Sequence, residues 1–307
     1  MPDLYSMALS LLSSITLSIN ASSAFAYHAK IISNITYAEK INQNGEREQL
    51  EFDLYQPTGN VKNKIIYLMH GGGFLHGQKE DFIKYSNYLA KHGFTVCNLN
   101  YRLIPDEYHE RLNYDIYATS LAFAMDDLDS AIRFIHDNSD IYDVDDHEII
   151  IGGYSAGALT SLHYAYINSA DDLFLLSQSD IFMNLSEEKQ SFMTKFTEKK
   201  YKISKVISIA GSLLSPYLMH EGEPSIISVH SVGDEVVPYE SGDTDSTGII
   251  TYGPKIIHQT ANNLSIINQL ITVNDDDHGS FAVSYTHLRA HETRGNVVCR
   301  LQLEKKK

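Results

Sequence analysis

The sequence predicts an α/β protein with a mostly parallel central sheet and helices on both faces. Three observations carry this. Short β-branched runs, such as residues 64–69 and 148–151, alternate with helix-length amphipathic stretches. Some runs are apolar nearly throughout, as strands covered on both faces must be. The chain has no internal repeat and no low-complexity linker, so one domain is the simplest organisation for its 307 residues.

Each element follows in order. Residues 31–37 and 50–55 flank the polar turn Asn42-Gln43-Asn44-Gly45 and read as an opening antiparallel pair. Pro57-Thr58-Gly59-Asn60 reads as a second turn. Residues 64–69 form a buried strand that runs into His70-Gly71-Gly72-Gly73-Phe74. Residues 81–92 have helical period and end at Gly93. Residues 94–100 form the next strand, with Cys97 a buried thiol, closed by Tyr101-Arg102-Leu103. Residues 114–138 form a long amphipathic helix. Residues 148–151 lead into Gly152-Gly153-Tyr154-Ser155-Ala156-Gly157, and a small-residue helix follows over 158–167. Residues 171–200 break the rhythm; polar and helix-prone, they read as a helical insertion. Residues 205–210 and 225–230 are strands, 256–263 a helix, and 267–273 the last strand.

Composition narrows the function. A formal charge of −15 argues against nucleic acid or an anionic membrane as partner. Two cysteines, Cys97 and Cys299, provide neither a disulfide framework nor a zinc spacing. Residues 7–19 are apolar and uncharged, and Ala24-Phe25-Ala26 is a small-x-small cleavage pattern. Residues 1–26 therefore read as an export signal, although the first six residues carry Asp3 and no basic residue. The stretch is short and serine-laden for a stable membrane span.

The chemistry starts at Ser155. A serine on a tight turn between a strand and a helix projects its hydroxyl above the sheet. Gly153 and Gly157 remove Cβ atoms that would collide with the adjoining elements. A nucleophilic serine needs a base, an orienting acid and oxyanion donors. The glycine run supplies candidate backbone donors at Gly71, Gly72 and Gly73, and the residue after the nucleophile, Ala156, supplies another. A phosphate cradle would need a following Lys-Ser/Thr and a helix, which are absent. Asp234, at the end of a strand after the nucleophile, is the candidate acid, with its neighbour Glu235 a weaker one. His278, in the loop after the last strand, is the candidate base; His258 also follows Asp234 but lies in a predicted helix. Asp275, Asp276 and Asp277 do not alternate as a calcium loop does and read as a solvated acidic turn.

These pieces together resemble the α/β-hydrolase fold carboxylesterases and lipases with an HGGGF loop and a GxSAG elbow. The resemblance runs over most of residues 50–281. It also takes in Asn100-Tyr101-Arg102-Leu103, Asp127 with Ala131-Ile132-Arg133-Phe134, Gly233-Asp234 with Val237-Pro238, and His278-Gly279. It implies hydrolysis of a small-molecule ester through an acyl-enzyme, with no metal or cofactor called for. It also implies that residues 171–200 cap the site, and their apolar side chains are expected to form one wall of an acyl pocket. A serine peptidase of the same fold and a non-catalytic binding relative are the alternatives. Residues 282–307 lie outside the resemblance. Val283 to Thr293, then Val298-Cys299-Arg300 and Leu303 to Lys307, read as the translation of a transposase sequencing adapter ending in poly-A, with Val297 and Gln302 each one base away from it. The hydrolase domain is thus expected over residues 27–281, with the tail packing poorly.

Overall fold

The computed structural model of the chain describes residues 29–58, 64–144, 146–177, 192–197, 200–244 and 247–278. The expected export signal, the adapter-like tail with Cys299, the end of the second turn and most of the insertion lie outside the described residues. Ten strands are present among the described residues. They are β1 (Ala29–Ile41), β2 (Arg47–Pro57), β3 (Lys64–Met69), β4 (Thr95–Leu99), β5 (Glu148–Tyr154), β6 (Ile203–Ile209), β7 (Ser225–Ser231), β8 (Ser241–Asp243), β9 (Ile250–Tyr252) and β10 (Asn268–Val273). Eight of them form one sheet in the order β1-β2-β4-β3-β5-β6-β7-β10. β1 and β2 pair antiparallel, as does β2 with β4, and every other neighbour in the sheet is parallel.

The apolar runs are strands because both their faces are covered. Ile65, Tyr67 and Met69 of β3, and Ile149 and Ile151 of β5, point into one core. The alternate residues Ile66, Leu68 and Ile150 point into a second. Each fully buried isoleucine contributes roughly 1.5–3 kcal/mol, so exposing either face would be costly. α1 (Ile83–Lys91) covers the second core with Leu89 and Ala90. The first lies under α2 (Tyr114–Asp137), α3 (Ala156–Tyr166) and α5 (Pro254–Asn263), with α4 (Ala170–Ser177) adding Leu176. α2 starts where the Asn113 side chain accepts the Ile116 N–H at 3.0 Å. Cys97 is buried in β4, and burial raises its thiol pKa well above the ordinary value.

The expected helix over 81–92 begins as a 3-10 turn, Lys79–Phe82, before continuing as α1. The hairpin of β8 and β9 has no sequence counterpart above, because three-residue strands are too short to show a period.

Candidate active site

Because β3 through β7 and β10 run parallel, the loops leaving their carboxyl ends open on one edge of the sheet. Ser155 stands at the end of β5 and at the N-terminus of α3. Its φ of 52° lies in the left-handed region, a strained backbone state for a side chain-bearing residue. The turn is held by the Ser155 N–H, which donates to the Ile209 carbonyl of β6 at 2.8 Å. A Cβ on Gly153 would run into the Met69 carbonyl, and one on Gly157 into the carbonyls of Met69 and His70. The two glycines therefore let the end of β3 lie against the elbow.

Asp234 follows β7, and its carboxylate is fully buried. Oδ1 accepts the N–H groups of Val236 and Val237, each at 2.9 Å. Oδ2 lies 2.8 Å from His278 Nδ1 and 3.3 Å from His230 Nε2. Burial favours the neutral acid. The hydrogen bonds from His230, His278 and Val237 outweigh it and hold the Asp234 pKa far below the usual carboxylate range. Asp234 is thus an anion that takes its proton partner from the His278 Nδ1–H. That tautomer leaves His278 Nε2 as an acceptor, and Ser155 Oγ lies 2.9 Å from it.

The loop carrying His278 is held against both the Asp234 loop and the elbow. The Gly233 N–H donates to the Asp275 carbonyl at 3.0 Å, and a Cβ on Gly233 would collide with Asp276. The Tyr154 hydroxyl donates to the His278 carbonyl at 2.8 Å while its ring stacks on the imidazole. Nothing in the sequence marks Tyr154 or His230. Tyr154 occupies the variable position of the elbow motif, and His230 sits in an apolar strand, so neither carries a local signature.

The glycine run passes beside the serine. Gly72, Gly73 and Ala156 line the same cavity as Ser155 and His278, whereas Gly71 lies outside its lining, under the Tyr154 ring. Gly72 and Gly73 have φ of 105° and 62°, a bend open to glycine. As the first residue of α3, Ala156 has an N–H with no partner inside the helix. The run is braced from below. The His70 ring stacks on Tyr101 at 4.3 Å, and the Tyr101 hydroxyl donates to the His70 carbonyl at 2.9 Å. Lys79, just past the run, places its ammonium 2.9 Å from Asp53 of β2, with both side chains almost fully buried. Arg102 is also buried; its Nε donates to Asp127 at 2.9 Å and its Nη2 to Asp126 at 2.7 Å. The Tyr101-Arg102 and Asp127 pieces of the resemblance therefore fix the scaffold.

The cavity has a volume of about 360 Å³. Phe74, Leu159, Leu214 and Val237 supply apolar wall, as do Tyr117 and Leu121 of α2. Ile249 and the β8–β9 hairpin supply the remaining side. Residues 178–191 and 198–199 of the insertion lie outside the described residues, and none of its described residues lines the cavity. Phe192 packs on Phe123, Phe196 on Tyr164, and Lys195 pairs with Asp126. The other sequence candidates lie apart. His258 is buried in α5, bonded to Ser228 and Asn268 at 2.8 Å each. Glu235 is exposed, as are Asp275, Asp276 and Asp277. Among the described residues no helix is long and apolar enough to cross a membrane.

A parallel sheet with a serine elbow after β5, an acid after β7 and an imidazole after β10 defines the α/β-hydrolase fold. Residues 52–214 match the BD-FAE family model, and the chain belongs to that family of α/β-hydrolase esterases. No curated protein is a detectable sequence relative. Among solved structures, the chain is similar to the esterase Est2 of Thermogutta terrifontis with butyrate bound. That match has 17% identity and a TM-score of 0.53, over 89% of this chain and 94% of that one. The esterase 2 of the same organism phosphorylated by paraoxon matches at 17% identity and TM-score 0.51, over 81% and 83%. A truncated carbohydrate esterase from gut microbiota matches at 15% identity and TM-score 0.53, over 86% and 98%. At these identities the likeness is one of fold.

Proposed function

We propose that the chain is a serine carboxylic-ester hydrolase that works through an acyl-enzyme, with Ser155 as nucleophile, His278 as base and Asp234 as orienting acid. The supporting observation is the unbroken line of hydrogen bonds from Ser155 through His278 to Asp234 at the head of an apolar cavity. As Ser155 Oγ bonds to the ester carbonyl carbon, its proton passes to His278 Nε2. The carbonyl oxygen becomes an oxyanion, met by the N–H of Ala156 and those of the Gly72-Gly73 bend. The intermediate collapses, the bond to the alkoxy oxygen breaks, and His278 returns its proton to the leaving alcohol. Water then repeats the sequence on the acyl group and frees the acid. Asp234 stays ionised throughout and stabilises the imidazolium. The cavity volume, at the small end of ligand sites, supports short to medium acyl groups.

The test is a series of para-nitrophenyl esters from acetyl to palmitoyl, with a fluorophosphonate probe for covalent labelling. The wild-type chain is expected to hydrolyse the shorter members and to label at Ser155. Ser155→Ala is expected to lose labelling and at least about 10⁴-fold in kcat, with its melting temperature unchanged. Full hydrolysis by Ser155→Ala overturns the assignment.

A further inference from the structure

The cavity that holds Ser155 and His278 is poor in polar side chains that a ligand can use. Among its described lining residues there is no Asp, Glu, Lys or Arg. The Tyr154 hydroxyl is engaged by the His278 carbonyl. Thr244 and Thr251 share a hydrogen bond of 2.7 Å, and the Thr247 hydroxyl donates to the Thr244 carbonyl. The Ser212 side chain is buried out of reach. His76 differs from all of these. It lines the cavity, it is exposed, and its ring makes no hydrogen bond among the described residues.

The backbone places this ring beside the reacting centre. The Gly72 carbonyl accepts the N–H groups of Leu75 at 2.9 Å and of His76 at 3.2 Å, which closes a tight turn after the glycine bend. The His76 ring returns over that bend: its Cδ2 lies 3.1 Å from the point that a Cβ on Gly72 would occupy. Gly72 is one of the oxyanion donors assigned above, so the imidazole stands next to the place where an ester carbonyl binds. Its exposure puts it at the solvent end of the cavity, whereas the lining residues Leu121, Leu214 and Ile249 are buried. An ester held at Ser155 has two limbs. A hydrocarbon acyl group gains most by entering the buried apolar part, which leaves the alcohol limb towards the mouth and His76.

We propose that His76 is a specificity-determining residue that hydrogen bonds an oxygen on the alcohol limb of the ester. Preferred substrates are then esters of alcohols that carry a further hydroxyl or ether oxygen, rather than of plain alkanols. An imidazole offers an N–H donor to either oxygen and, when neutral, an acceptor for a hydroxyl on its other nitrogen. This rests on the esterase reading above and narrows it. A polar group at a wet mouth discriminates only moderately, because water can replace the missing partner.

The experiment pairs butyrate esters that differ by one oxygen in the alcohol, with release of butyric acid as the readout. The pairs are 2-hydroxyethyl with propyl butyrate, 3-hydroxypropyl with butyl butyrate, and 2-methoxyethyl with butyl butyrate. A parallel pair of propyl esters, of 3-hydroxybutanoic and 3-methylbutanoic acid, varies the acyl group instead. The alcohols also differ in leaving-group reactivity. The baseline is therefore the ratio shown by His76→Phe, which keeps a ring over Gly72 and loses the hydrogen bond. The wild-type ratio in kcat/KM is expected to exceed that baseline by about fivefold in at least one alcohol pair. His76→Gln, which keeps a donor and an acceptor, is expected to regain most of the difference. Equal ratios in wild type and His76→Phe for every alcohol pair overturn the proposal. A His76-dependent preference confined to the acyl pair also overturns it. In both cases hydrolysis itself leaves the esterase reading standing. Absence of hydrolysis across all esters by folded wild-type protein removes the esterase reading, and this proposal with it.

Discussion

The Tyr154 hydroxyl donates to the His278 carbonyl at 2.8 Å, and the two rings stack with centroids 5.3 Å apart. The residue preceding the serine in the elbow therefore also grips the imidazole that the serine addresses. Burial, with Asp234 and Asp277 nearby, raises the Tyr154 pKa far above the ordinary phenol value, so the hydroxyl remains a donor.

The two contacts separate by mutation. Tyr154→Phe keeps the stack and loses one hydrogen bond of about 1 kcal/mol, so kcat/KM should fall about fivefold. Tyr154→Ala loses both and leaves a hole beneath His278; a loss of about 100-fold or more is expected. Steady-state kinetics on a short-chain ester, with melting curves as control, checks the ranking. Equal losses for the two variants would assign the effect to the hydrogen bond alone.

Asp234→Asn tests the tautomer. The asparagine oxygen would serve the Val236 and Val237 N–H groups now bound to Oδ1, turning its NH₂ towards His278 Nδ1. His278 would then carry its proton on Nε2 and could no longer accept from Ser155. A loss of about 10³–10⁴-fold in kcat near neutral pH is expected. Activity within tenfold of wild type would exclude this role for Asp234.

His163 links stability to pH. It is buried in α3, where Nδ1 donates to the Leu159 carbonyl at 2.8 Å and Nε2 accepts the Leu214 N–H at 3.1 Å. Burial lowers its pKa from 6.5 to about 4. Between those values the unfolded chain binds the proton and the folded chain does not, so stability rises with pH. The contribution is complete above pH 6.5, declines as pH falls towards 4, and amounts to about 3 kcal/mol. His70 and His258, also lowered chiefly by burial, act in the same direction. Urea unfolding at pH 7, 5.5 and 4.5 should show a shallower decline in His163→Gln than in wild type. Parallel declines would refute the linkage.

Two glycines separate steric from conformational cost. A Cβ on Gly157 meets the backbone carbonyls of Met69 and His70, which cannot move without shifting β3. Gly157→Ala should cost about 3 kcal/mol or more, or prevent folding. Gly45, in the β1–β2 turn, has φ of 82° with open space around it. Gly45→Ala should cost only about 1 kcal/mol. Denaturant midpoints for the two variants, compared with wild type, test the difference.

Much of the architecture was legible because it rests on local patterns. Ile149, Ile150 and Ile151 are apolar in succession because β5 is buried on both faces. Ser155, Asp234 and His278 each stand just past a strand end, and parallel strands bring such ends together. What the sequence withheld depends on contacts between distant segments. The β8–β9 hairpin forms a cavity wall from strands too short to announce themselves. Phe192 and Phe196 look, in sequence, as suited to an acyl pocket as to the flank of α2 and α3 where they pack. Tyr154 and His230 are ordinary residues in ordinary runs, and proximity alone gives them their setting.

The pairing of Lys79 with Asp53 bears on the media in which the chain can work. Dissolved ions screen charges they can approach, over about 8–10 Å at physiological strength. The Lys79 and Asp53 side chains are 4% and 6% exposed, so counter-ions have little access to the bond that bolts the glycine run to β2. Exposed pairs such as Arg47 with Glu39 on the opening hairpin and Lys255 with Glu240 fasten nothing in the glycine run. Salinity should therefore loosen the periphery while the backbone of the glycine run keeps its shape, and turnover should vary little from dilute buffer to concentrated salt.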